Sequence, residues 1–277
     1  MKISQLCLSA LLPFVSASSS LQLSSDNLYC PTQNDMNVDY GDQILFGGNG
    51  WIITGNGRVS SKTSWNLLGG YMEFTMDVSN TADGVNTNFY TSSPDRENLG
   101  SATYCDDQGD GDQGCMEMDI IEANGKCAMA TTVHTFQTDG QPNNGDCDRW
   151  GCTAAMSLPD SHVFQIKAMF NEDGSMDIYM DGQLHAGYPL YPVPSDASNE
   201  VVVSTMSSVG AVIESSQWFG WAPEQDNCPS GSSDGVNSSV VKISDVKVQG
   251  IIVQGPVPNL CSEMSASTPS LRGVSQK

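Results

Sequence analysis

Apolar and polar side chains alternate along much of this chain, and the alternation predicts strands. In 70–78, Met72, Phe74, Met76 and Val78 interleave with Tyr71, Glu73, Thr75 and Asp77, the two-residue period of a half-buried strand. Further strands are predicted at 43–46, 51–54, 58–61, 85–91, 128–136 and 163–170. Asp83-Gly84 supplies a turn before 85–91. Asn171 to Gly174 turns 163–170 into 175–181, and Asp181-Gly182 marks a second hairpin. The run 201–206 is largely apolar, which predicts a buried strand; 217–221 is aromatic, and 239–248 closes the sheet. Residues 18–40, 92–114 and 140–152 read as loops. No helix longer than a turn or two stands out, no repeat appears, and no Pro/Ser linker leads to a second module. The expected fold is an all-β sandwich of packed antiparallel sheets. It forms one domain over 18–261, followed by a Ser-rich, unpatterned tail at 262–277 that is expected to be disordered.

One stretch breaks the pattern. In Cys115-Met116-Glu117-Met118-Asp119-Ile120-Ile121-Glu122-Ala123-Asn124-Gly125, a strand puts Glu117 and Asp119 on one face and Met116, Met118 and Ile120 on the other. Glu122 then points into the core, where an unpaired carboxylate is costly. A β-bulge near Ile120–Ile121 returns it to the acidic face. The two glutamate Cα atoms would then lie roughly 13–15 Å apart, from about 3.3 Å of rise per residue, and the side chains can lean together. Two carboxyls about 5–6 Å apart suit a nucleophile and an acid/base flanking a glycosidic bond. Asp119, between them, would orient the first glutamate and share its proton. The plainer alternatives are a solvated acidic face or a calcium site. Asp106, Gln108, Asp110, Gly111 and Glu117 mimic the spacing of an EF-hand loop, but the third position is Gln and strand-forming sequence follows where a helix is needed. No metal site is expected.

Composition then narrows the compartment and the partners. Residues 1–17 look like a secretory signal, with Lys2, an apolar run over 6–15 and a small-residue cleavage site at 15–17. No later apolar run approaches a membrane span. Of nine cysteines, Cys7 lies in the signal, which leaves eight in an expected secreted chain and implies disulfides. Spacing alone leaves their pairing open. A net charge of −21 disfavours nucleic acid and anionic membrane surfaces and leaves neutral polymers unopposed. Asn237-Ser238-Ser239 is a glycosylation sequon. A monomer is the default expectation.

Residues 117–124 resemble the E-M-D-I-W-E-A-N signature of glycoside hydrolase family 7, the cellobiohydrolases and endo-β-1,4-glucanases. Other segments match in the same order. Phe74-Thr75-Met76-Asp77-Val78-Ser79 and Gly84-Val85-Asn86-Thr87-Asn88-Phe89-Tyr90 resemble F-D-V-D-V-S … G-L-N-G-A-L-Y. Tyr104-Cys105-Asp106-Asp107-Gln108 resembles Y-C-D-x-Q, and Cys147-Asp148-Arg149-Trp150-Gly151-Cys152 resembles C-D-x-x-G-C. The resemblance implies a concanavalin-like jelly roll of two curved antiparallel sheets. By position it makes Glu117 the nucleophile, Glu122 the acid/base and Asp119 the supporting carboxylate. Asn86, Tyr90, Asp106 and Gln108 would line the subsites on the nonreducing side of the bond. His134 would lie near the acid/base, and Trp218 would offer a sugar platform, with Trp221 a lesser candidate. Cys105 and Cys115 would pair. No cofactor is implied, and the substrate is a β-glucan.

The departures also carry meaning. Ile121 stands where the signature has Trp, the family's arginine-bearing stretch has no clear match, and the chain is short for the family. Trimmed loops imply an open groove and endo-type attack on internal bonds, β-1,4 or mixed-linked. Two other readings remain. One is a β-1,3(4)-glucanase like those of family 16, which shares the E-x-D-x-x-E strand. The other is a non-hydrolytic glucan-binding lectin or effector on the same fold.

Overall fold

The computed structural model describes residues 27–41, 43–94, 116–135, 152–188, 196–223, 228, 231 and 234–264. In chain order its strands are β1 (Leu28–Tyr29), β2 (Met36–Tyr40), β3 (Ile44–Phe46), β4 (Trp51–Thr54), β5 (Gly57–Ser61), β6 (Ser64–Asn80), β7 (Val85–Ser92) and β8 (Met116–Asn124). They continue with β9 (Ala128–Thr135), β10 (Cys152–Ser157), β11 (Val163–Phe170), β12 (Met176–Met180), β13 (Gln183–Tyr188), β14 (Val212–Phe219) and β15 (Val240–Gln254). Among the described residues there are also two α-helices, α1 (Asp196–Ser208) and α2 (Cys261–Met264). The strands form two antiparallel sheets. One runs β13-β12-β11-β6-β15-β4-β3, with β1 also on β15; the other runs β10-β9-β8-β7-β14-β5-β2.

The core lies between the sheets, and the predicted alternation explains it. Met72, Phe74, Met76 and Val78 of β6 are fully buried, while their neighbours face outward. From the other sheet, Phe89 of β7 stacks on Phe74 with ring centroids 3.8 Å apart, and Trp51 lies beyond it at 6.0 Å. Fully burying a side chain such as Phe74 contributes about 1.5–3 kcal/mol. The Asp181-Gly182 turn is as expected: both residues have positive φ, 49° and 80°, and join β12 to β13.

Four expectations fail. The apolar run 201–206 is not a strand but lies within α1, a helix of 13 residues, so the expectation of no helix beyond a turn or two fails with it. Its apolar side chains have only one face to cover. Val202 and Met206, four apart, are buried, while Ser204 is exposed. The Val209 and Gly210 amides both bond the Thr205 carbonyl, and Gly210, at φ 78°, ends the helix. Within 18–40, β1 and β2 replace the expected loop. β2 is held by pairing with β5 and by the Asp39 carboxylate, which accepts from Arg58 Nε at 2.8 Å and Ser60 Oγ at 2.7 Å. Finally, β14 extends well before the aromatic segment, because Glu214, Ser215 and Ser216 hide an ordinary strand behind polar residues.

The described boundaries move in smaller ways as well. Cys152 opens β10 rather than ending a loop. Cys261–Met264 form a short helix, and Cys261 is bonded to Cys30; residues 265–277 of the expected disordered tail lie outside the described residues. A second disulfide joins Cys127, in the turn after β8, to Cys228. No helix among the described residues is long and apolar enough to cross a membrane.

Candidate active site

The bulge predicted in the acidic strand is present. Asp119 pairs with Thr132 and Glu122 with Ala130, so three steps on β8 match two on β9. On the other side Ile121 pairs with Phe89 and Asp119 with Tyr90, which leaves Ile120 as the extra residue. Met116, Met118, Ile120, Ile121 and Ala123 all join the core. Glu117, Asp119 and Glu122 therefore share the opposite face. They are 8%, 4% and 6% exposed, shielded yet still reachable. Glu117 lies across from Ser92 and Glu122 across from Asn88. Those β7 positions are four residues apart, about 13 Å of strand, with Asp119 between them.

Neighbouring strands hold Glu122 at both oxygens. Asn86 Nδ2 donates to Oε1 at 2.9 Å, and Thr132 Oγ1 donates to Oε2 at 3.1 Å. Asn86 is fully buried and Tyr90 is 2% exposed, so both β7 residues sit inside the acidic face rather than on an outer surface. The end of β8 is fixed as firmly. Asn124 Oδ1 accepts from the Gly84 amide at 2.7 Å, and its Nδ2 donates to the Pro223 carbonyl at 2.7 Å. Gly125 follows at φ 49°, and a Cβ there would stand 2.5 Å from the Ala82 carbonyl oxygen. The E-A-N-G order thus has a local cause: acid/base candidate, core residue, clamp and turn.

Trp218 is half-buried and pairs with Asn86, which in turn pairs with Asn124, so it sits on the acidic face two strands from β8. Trp221 is exposed. His134 lies in β9 at the position opposite Glu117. Asn237 is exposed in a short 3-10 turn, Val236–Ser238. Asp106, Gln108, Cys105 and Cys115 lie outside the described residues. Among the described residues no group of three or more His, Cys, Asp or Glu side chains is arranged to hold a metal ion.

Part of the site leaves no mark in the sequence. Thr132 carries no motif, and only the β8–β9 register brings it to Glu122. Asn88 lies opposite Glu122, and its Oδ1 accepts from Ser216 Oγ at 2.8 Å. Glu214 of β14 is fully buried next to Tyr90, and Ser92 Oγ donates to its Oε2 at 3.1 Å. A carboxylate amid serines in an unrecognised strand gave no warning of this.

No protein-family model matches the chain, and no curated protein does. Solved structures match its fold. An endoglucanase I complexed with cellobiose superposes with a TM-score of 0.53 at 18% identity, over 77% of this chain and 79% of that one. The κ-carrageenase from Pseudoalteromonas carrageenovora, in complex with an oligotetrasaccharide of κ-carrageenan, gives 0.51 at 12% identity, covering 88% of this chain and 100% of its own. The laminarinase from Flavobacterium sp. UMI-01 gives 0.50 at 12%, over 79% and 93%. The fold is a jelly roll. On this jelly roll the acidic face belongs to the sheet running β10-β9-β8-β7-β14-β5-β2, with two glutamates and an aspartate on one bulged strand.

Proposed function

We propose that this chain is a secreted, retaining, endo-acting glycoside hydrolase that cleaves internal bonds of a β-glucan. The observation that carries the reading is the bulge in β8, which sets Glu117, Asp119 and Glu122 on one shielded face with Glu122 gripped by Asn86 and Thr132. A solvated acidic surface needs neither the bulge nor the grip. Glu122, in its acid form, protonates the leaving oxygen while Glu117 attacks the anomeric carbon through an oxocarbenium-like transition state. Water then enters, Glu122 takes its proton, and the glycosyl–Glu117 ester is hydrolysed with the original anomeric configuration restored. Asp119, between the two, orients Glu117 and shares its proton. Asn86, Tyr90 and Trp218 are the described side chains assigned to the sugar, with Trp218 offering a ring face to glucose C–H groups. No cofactor enters these steps.

The site and the names of the matching folds support a substrate class. Cellobiose in one and κ-carrageenan in another favour a polysaccharide substrate. The ordered resemblance to family 7 favours β-1,4 or mixed linkage. The laminarinase match keeps β-1,3-glucan as the second reading, with the same residues in the same roles. The 1–17 leader and the two disulfides support secretion.

The test is release of new reducing ends from carboxymethyl-cellulose, mixed-linkage β-glucan, laminarin and xyloglucan, beside a Glu117→Gln control. The expected result is hydrolysis of β-1,4 or mixed-linked polymer that falls to background in the variant. Hydrolysis surviving Glu117→Gln overturns the assignment. A folded protein that releases nothing but still binds glucan makes it a lectin.

A further inference from the structure

Glu214 has no part in the two-carboxylate mechanism, yet it is fully buried on the same sheet face. The row it occupies is continuous. Thr132, Asp119, Tyr90, Glu214 and Ser60 are cross-strand neighbours on β9, β8, β7, β14 and β5. Its polar partners are the two β7 side chains that face the catalytic strand. Ser92, which donates to Glu214, is the residue opposite Glu117; Tyr90, whose hydroxyl also meets the Glu214 carboxyl, is opposite Asp119. On the far side, β5 presents Arg58 and Ser60, and β2 presents Asp39 and Tyr40. Arg58 Nε donates to Asp39 at 2.8 Å, so its charge is shared between the two carboxyls. Burial is accordingly the leading influence on Glu214, pushing its carboxyl up to about 8 against the partial relief given by Arg58.

We infer that Glu214 is a positioning residue, a buried carboxylic acid that braces Ser92 and Tyr90 from behind and so fixes the β7 wall against which Glu117 and Asp119 are set. The inference deepens the hydrolase reading and rests on it. Glu214 touches no sugar; it acts through Tyr90 and Ser92. Burial keeps the carboxyl in its acid form, and its oxygens still accept from Ser92 and meet the Tyr90 hydroxyl. An apolar side chain of equal length would leave both partners unbraced, and misplacement by about 1 Å lowers rate by about 10²-fold.

The experiment compares Glu214→Met, Glu214→Gln, Tyr90→Phe and the Glu214→Met/Tyr90→Phe double variant, each first checked for a cooperative thermal transition. Glu214→Met should lower kcat about 10²-fold with KM little changed. Glu214→Gln, neutral and of the same shape, should restore kcat to within a few-fold. Tyr90→Phe should add far less on top of Glu214→Met than it does alone, because the two act as one unit. If Glu214→Met does not fold, Glu214→Gln still decides through pH. The folded chain holds the Glu214 proton up to about 8, the unfolded chain only to about the ordinary 4.5. Wild-type stability should therefore fall as pH rises between those values and level off above, and Glu214→Gln should flatten that slope. Full kcat in a folded Glu214→Met, additive effects with Tyr90→Phe, or an unchanged slope in Glu214→Gln each overturns the role of Glu214 alone. A wild type that hydrolyses nothing overturns the hydrolase reading, and the role of Glu214 with it.

Discussion

Glu122 keeps its place because two buried side chains donate to it, and one of them was visible in the sequence. Asn86 stood out as a motif residue on a predicted strand. Thr132 did not, because a lone threonine has no signature and only the β8–β9 register brings it near. Removing one partner and leaving a buried acceptor unsatisfied costs about 1–3 kcal/mol. Asn86→Ala should therefore destabilise the fold by about that amount in urea unfolding, and lower hydrolysis well beyond what the stability change explains. An Asn86→Ala protein with wild-type rate would detach Asn86 from the acid/base role proposed for Glu122. Glu214 shows the limit of residue-level reading: a carboxyl is judged by its surroundings, and these come from β2, β5 and β7 together.

At the scale of the element, the bulge is the decisive feature, and it was legible. Glu122 lies five positions after Glu117, an odd offset that a regular strand cannot give to one face. The cost of a buried carboxylate argued for the repair, and the register shift between Asp119 and Glu122 is that repair. Removing one residue tests it. Deleting Ile121 should turn Glu122 into the core, which leaves a buried charge, and the protein should fail to give a cooperative unfolding transition. A soluble deletion variant with unchanged thermal stability would mean that the bulge is dispensable. The run 201–206 went the other way. Three consecutive valines favour a strand locally, yet Val202 and Met206 meet the core one helical turn apart, and packing overrides propensity.

For the whole molecule, closure matters most. Cys30 and Cys261 lie 231 residues apart in sequence, and their disulfide fastens the segment after β1 to the one after β15, with the backbone bond from the Cys30 amide to the Asn259 carbonyl beside it. Replacing both cysteines by Ser should lower stability by about 2–5 kcal/mol, read from denaturant midpoints, while leaving hydrolysis intact below the new transition. Loss of hydrolysis in a still-folded variant would mean that the chain ends shape the site.

By itself the sequence determined what depends on short-range order. It gave the period-two strands, the Asp181-Gly182 hairpin, the core face of β6, the acid-bearing strand and its bulge, because side-chain alternation and the cost of burying a charge act within a few residues. Tertiary structure alone decided what depends on partners distant along the chain. It made 196–208 a helix, drew polar β2 and β14 into the sheet, paired Cys30 with Cys261, and placed Thr132, Asn88 and Glu214 around the glutamates. The physical reason is that a strand's register and a carboxyl's surroundings are set across the sheet, by residues whose sequence separation leaves no local trace.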